Sequence, residues 1–107
     1  MSKYKSVRTE VDGRMFDSKR EADVYSSLKA LERAGTIRAL ECQVRFPLHA
    51  TDPQGKPAKV CTYVADFVCQ DREGRTCVYD AKGYKTAMYR VKKRWFELQY
   101  GLRIIEV

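Results

Sequence analysis

The chain has 107 residues, enough for one domain and not two, and its 44% hydrophobic content allows a modest core without disulfides or structural metal. Lysine and arginine number 21 against 14 aspartates and glutamates, a formal charge of +7 that suits a polyanionic partner such as nucleic acid, or simply a basic soluble protein. No apolar run approaches membrane-span length and the N-terminus has no signal-peptide core, so a cytoplasmic protein without a membrane partner is expected.

Residues 1–10 carry Lys3, Lys5 and Arg8 without periodicity and read as a flexible basic arm. Asp12-Gly13 within Val11 to Phe16 signals a small hairpin or turn. A first helix then starts near Asp17-Ser18, because Ser18 and Glu21 have capping-box spacing and Ala22, Tyr25, Leu28 and Leu31 or Glu32 follow at helical intervals. Gly35 closes it. Glu21 has two readings from its position, a cap on the helix start or a ligand pointing toward acids elsewhere.

Ile37 to Leu48 alternates, with Leu40, Cys42, Val44 and Phe46 on one face and Glu41, Gln43 and Arg45 on the other, so a strand is predicted. Gln43 either touches a site or faces solvent, and solvent is the commoner fate of such a residue. His49 to Ala58, with its prolines and glycine, reads as a mobile loop, and His49 is assigned no role. Cys42, Cys61, Cys69 and Cys77 form no C-x-x-C pair and sit in apolar runs, which predicts free, buried thiols in a reducing compartment.

Tyr63 to Lys82 is predicted to be a hairpin, two runs rich in Val, Tyr, Phe and Cys split by Asp71-Arg72-Glu73-Gly74. Period-two alternation puts Val64, Asp66 and Val68 on one face, and Val78, Asp80 and Lys82 on one face of the next strand. A turn centred on Glu73 sets Asp66 opposite Asp80; a shift of half a residue sets it against Tyr79. Two facing carboxylates among valines repel and are desolvated, an arrangement that a divalent cation would relieve. A second helix runs from Ala87 to Tyr100 with Met88, Val91, Trp95 and Leu98 as its predicted apolar stripe, and Gly101 stops it. Lys92-Lys93-Arg94 is either a solvated face or a phosphate-contacting one. Leu102 to Val107 is a last strand.

The order helix, three strands, helix, strand, with Glu21, Asp66 and Asp80-Ala81-Lys82 in sequence, is similar to the PD-(D/E)XK nuclease superfamily. More closely, the segments V-D-G-x-x-F-D-S-K-x-E-A, Y-x-A-D-F and D-x-K-G-x-x-T resemble small phage and prophage proteins related to Holliday-junction-resolving and transposon-end-cleaving endonucleases. Ala65 precedes the motif aspartate where the pattern has proline.

The resemblance implies a single α/β domain over residues 1–107, with a restriction-endonuclease-like core in which two helices flank a central mixed sheet. It implies that Asp66, Asp80 and the carbonyl of Ala81 bind Mg²⁺ or Mn²⁺, that Glu21 completes the site or holds a metal-bound water, and that Lys82 positions the attacking water and stabilises charge on the phosphate. The expected activity is metal-dependent hydrolysis of DNA phosphodiesters, on branched DNA such as a Holliday junction, by a homodimer encoded by a phage or prophage and working in the bacterial cytoplasm. Tyr84, Lys85, Arg90 and Lys93 are the expected phosphate contacts. Two rival readings are a non-catalytic nucleic-acid-binding module on the same fold and a basic interaction protein of phage assembly.

Overall fold

The computed structural model describes residues 7–107. Most of the predicted basic arm therefore lies outside the described residues, and its end is not an arm: Thr9–Val11 forms strand β1, paired antiparallel with β2, Arg14–Phe16. Asp12 and Gly13 join them with φ of +53° and +73°, two left-handed residues as a tight two-residue hairpin turn requires.

Helix α1 spans Lys19–Arg33 with Ser18 as its cap; the Glu21 N–H donates to Ser18 Oγ at 3.1 Å. It buries Ala22, Tyr25 and Leu28 while Leu31 is exposed. Glu32 stays tied to local structure, accepting from the Leu40 N–H at 3.0 Å where the next strand begins with a bulge.

Strands β3 (Arg38–Thr51), β4 (Pro57–Gln70), β5 (Thr76–Asp80) and β6 (Ile104–Glu106) form one sheet in the order β3-β4-β5-β6. The first three pair antiparallel; β6 joins β5 in parallel after the crossover helix α2, Ala87–Tyr100. The chain is therefore an α/β domain with a mixed four-stranded sheet and two helices.

The predicted loop from His49 to Ala58 is mostly strand: His49, Ala50 and Thr51 pair with Lys59, Ala58 and Pro57. Only Asp52 to Lys56 turns, and it repeats the construction of the next hairpin tip. In D-P-Q-G-K the Asp52 carboxylate accepts from the Gln54 and Lys56 N–H groups, and in D-R-E-G-R the Asp71 carboxylate accepts from the Glu73 and Arg75 N–H groups. Each aspartate closes its own turn, so local hydrogen bonding rather than composition decides how long the arm is.

The core lies on both faces of the sheet. Phe16, Tyr25, Leu28, Ile37, Phe67 and Cys69 pack under α1; Leu48, Tyr63, Ala65, Val78, Phe96 and Ile104 pack under α2. Of the predicted stripe of α2 only Trp95 packs against the core. Tyr89 and Phe96 are the buried residues, while Met88, Val91 and Leu98 are exposed, because the helix turns aromatic side chains toward Phe46 and Tyr63. In the last strand Ile104 is core and Leu102 half-buried against it, while Ile105 is exposed. All four cysteines are free, with Cys69 buried and the others half-buried.

Candidate functional site

The predicted alternation reverses at the site. On β4, Tyr63 and Ala65 face the α2 cluster whereas Phe67 and Cys69 face the α1 cluster, so odd-numbered residues change sides across Asp66. On β3, Leu40 and Cys42 face α1 whereas Phe46 and Leu48 face α2, so even-numbered residues change sides between Cys42 and Phe46. Cys42 pairs with Phe67 and Val44 with Ala65, which sets Gln43 opposite Asp66 at the double switch. Gln43 has φ of +55°, a left-handed backbone that a non-glycine residue adopts at a cost of order 1 kcal/mol or more. Val64, Asp66 and Val68 consequently do not share a face in the way simple alternation predicts.

The turn is centred on Glu73: Phe67 pairs with Tyr79 and Val68 with Val78, a register that carries Asp66 to the level of Asp80. Asp80 is fully buried. Its Oδ2 accepts from the Tyr63 hydroxyl at 2.5 Å, and its Oδ1 lies 3.3 Å from Lys82 Nζ without accepting a hydrogen bond. Asp66 Oδ2 accepts from the Ala81 N–H at 2.9 Å. Gln43 Nε2 donates to Asp66 Oδ1 at 3.3 Å and to Glu21 Oε1 at 3.1 Å. Of the two readings of Glu21, its side chain follows the second: Ser18 caps the Glu21 N–H, but the carboxylate reaches toward the strand acids and accepts from Gln43 rather than from backbone at the helix start. Gln43, for which solvent was the favoured reading, bridges them instead; the only signal for this would have been its place opposite Asp66.

Burial and the neighbouring Asp66 push the Glu21 carboxyl up to about 7. Burial also raises Asp80, to about 6, against the opposing hydrogen bond from Tyr63. The Tyr63 hydroxyl is itself raised by burial and by its bond to Asp80, which keeps it a donor. Lys82 Nζ sits 5.3 Å from the centre of the Tyr89 ring, so an aromatic face and Asp80 together hold its ammonium.

A cleft of about 820 Å³ opens over these groups, walled by Glu21, Gln43, Asp66, Ala81, Lys82 and Tyr84. Lys19 and Arg20, at the start of α1, also line it; they carry no motif and only the docking of α1 against the sheet brings them there. Carboxylate oxygens are the hard donors that Mg²⁺ and Mn²⁺ take, and Asp80 Oδ1 is a buried oxygen with no hydrogen bond. The donor set at Asp66 and Asp80 is compatible with such an ion. Among the described residues, however, no three of His, Cys, Asp and Glu converge closely enough to enclose one, because the Gln43 amide stands between Glu21 and Asp66.

Residues 1–105 match the family described as a protein of unknown function, DUF1064. The chain belongs to the DUF1064 family. No curated protein and no solved structure matches it. In this DUF1064 chain the four residues expected to contact phosphate are scattered. Tyr84 lies on the wall of the cleft. Lys85 pairs with Glu106 at 3.7 Å, Lys93 pairs with Glu97 at 3.3 Å within α2, and Arg90 is exposed on the same helix. None of those three lines the cleft. Among the described residues no helix is long and apolar enough to cross a membrane.

Proposed function

We propose that this DUF1064 chain is a metal-dependent DNA endonuclease of the PD-(D/E)XK type, acting on branched DNA such as a four-way junction. The observation that carries the reading is the meeting of Glu21, Asp66 and Lys82 at one solvent-open cleft, with Asp80 buried beneath Lys82. Three acids from α1, β4 and β5 are gathered there, and burial first, with repulsion from Asp66 added to it, raises the Glu21 and Asp80 carboxyls. A stability-driven fold has no use for such a cluster.

Asp66 and Asp80, with the Ala81 carbonyl, would hold Mg²⁺ or Mn²⁺, and Glu21 would join once Gln43 releases it. The ion supplies Lewis-acid charge to the phosphoryl oxygens and acidifies a bound water. Tyr63 and the Ala81 N–H orient the two aspartates. Lys82, fixed between Asp80 and the Tyr89 ring, presents positive charge at the cleft for the scissile phosphate. Lys19, Arg20 and Tyr84 on the wall are suited to flanking phosphates. A junction needs two cuts, which two copies of the chain would supply.

The test is incubation of purified protein with linear, single-stranded and four-way DNA in Mg²⁺, Mn²⁺ or EDTA. Metal-dependent nicking, strongest on the junction and absent from Asp80→Asn, is the expected result. One observation favours a second reading: Gln43 already satisfies Glu21 and Asp66 with hydrogen bonds, as suits a DNA-binding module that takes no metal. Tight junction binding that is indifferent to EDTA, with no cleavage in any condition, would select it.

A further inference from the structure

Beside its buried face α2 carries a second apolar stripe, exposed except at the half-buried Trp95. At 100° per residue Met88, Val91, Trp95 and Leu98 fall within about 80° of one another, and Met88, Val91 and Leu98 are 62%, 56% and 67% exposed. The stripe continues into a cleft of about 500 Å³ between the helix and the β3–β4 hairpin, walled by Trp95 and Leu98 on one side and by Ala50 and Pro57 on the other. The cleft is a built feature. Trp95 Nε1 donates to the His49 carbonyl at 3.0 Å and Gln99 bonds both Pro47 and His49, which pins the hairpin beside the helix.

Basic residues rim the stripe on both sides. On the helical wheel Arg90 and Arg94 follow one margin and Lys92 the other, while Lys56 and Lys59 flank Pro57 across the cleft. None of these five cations is in an ion pair among the described residues.

We propose that this surface docks an acidic amphipathic helix of a partner protein, its apolar side chains in the Trp95–Pro57 cleft and its carboxylates on the arginine and lysine rims. Each alternative fits less well. A nucleic-acid backbone would use the rims and leave three exposed apolar side chains, Met88, Val91 and Leu98, without a partner surface. A second copy of the chain would set arginine against arginine on the same margins. An anionic lipid surface would meet the helix but bridge over the concave cleft beside it. Exposed apolar area flanked by unpaired like charge is what a partner of opposite charge would cover. The proposal is independent of the nuclease reading.

Trp95 is the only tryptophan in the chain, so its emission reports on the cleft directly. The probe is a synthetic amphipathic Leu/Glu helix, run beside a scrambled peptide of the same composition, a Leu/Lys helix, duplex DNA and phosphatidylglycerol vesicles. Saturable blue-shifting by the Leu/Glu helix alone is expected. Its affinity should fall roughly tenfold or more in Leu98→Ser and in the Arg90→Glu/Arg94→Glu double variant. These are exposed positions, and an unchanged far-ultraviolet circular dichroism spectrum would confirm that the variants fold. An equal response to the scrambled or Leu/Lys peptide, or no response to any peptide, would overturn the proposal. So would a shift produced by DNA or vesicles instead. A concentration-dependent shift without peptide, with a doubled mass that Leu98→Ser abolishes, would give the surface to a second copy and overturn it as well.

Discussion

At the scale of single residues, Gln43, Glu21, Asp66 and Asp80 form an electrostatic balance that can be moved one atom at a time. Glu21 has a folded value of about 7 against an ordinary 4.5, and Asp80 about 6 against 3.8. Both are raised, so the fold prefers the protonated acids. Their stabilising effect is complete below about pH 4 and is lost as pH rises through 6 to 7. The metal-free protein should therefore melt at a lower temperature at pH 7.5 than at pH 4.5, and Glu21→Gln should flatten that slope; a wild-type melting temperature that rises across the interval would contradict the assignment. Gln43→Ala removes both bridging hydrogen bonds and should lower the metal-free melting temperature above pH 7, by the few degrees that about 1 kcal/mol gives a domain of this size. If the cation reading is right, the same variant should show a larger upward shift in millimolar Mn²⁺ than wild type, since Glu21 and Asp66 are then free to meet it. For the chemistry, Asp80→Asn and Lys82→Ala should each abolish metal-dependent cleavage while leaving junction binding within a few-fold of wild type. Turnover by Asp80→Asn at the wild-type rate would remove Asp80 from the site.

At the scale of elements, α1 is positioned by its cap. Ser18 holds the first turn whose third residue is Glu21, so Ser18→Ala should cost about 1 kcal/mol in chemical denaturation and also loosen the contact between Glu21 and Gln43. Asp71 and Asp52 each organise a hairpin tip through two backbone N–H groups. Helix boundaries were legible because caps and stops act locally: Ser18, Gly35 and Gly101 lie within a residue or two of the observed ends, and the second helix starts at Ala87 as predicted. The buried face of α2 was not legible. Met88, Val91, Trp95 and Leu98 make as good an apolar stripe as Tyr89, Phe96 and Tyr100, and only the aromatic side chains waiting on β3 and β4 decide between them. In the same way β3 and β4 were predicted as cleanly alternating, and the side chains change faces around Gln43, whose φ is left-handed, and Asp66 opposite it.

At the scale of the whole molecule, 21 basic residues stand against 14 acidic ones, and the cleft itself sets Lys19, Arg20 and Lys82 beside Asp17, Glu21 and Asp66. If DNA is the ligand, affinity for a four-way junction should fall steeply with salt, as the lysines and arginines that displace counterions outnumber the acids held at the site. Fluorescence anisotropy across a salt series checks this, and an affinity independent of salt would argue against phosphate contacts. A junction-cutting reading also requires two sites, so light scattering at micromolar concentration should report a homodimer. With Ile104 committed to the core, Ile105 and Val107 remain the exposed apolar residues near the β6 edge of the sheet. Leu98→Ser should leave that dimer intact, which separates self-association from the docking surface on α2.

The sequence by itself determined the class of fold, the order and ends of the helices and the existence of the β4–β5 hairpin, while it left two registers for Asp66, opposite Asp80 or opposite Tyr79, between which the pairing of Phe67 with Tyr79 decides. What it determined follows from interactions between residues near one another in the chain, where capping, turn chemistry and period-two or helical spacing act. The tertiary structure alone decided that Gln43 bridges Glu21 and Asp66, that Tyr63 holds Asp80, that Lys19 and Arg20 border the cleft, and which face of α2 is buried. Each of those depends on which surface of one element meets another across many intervening residues. No local pattern encodes that choice, because several packings satisfy the same periodicity and only the shared core selects one.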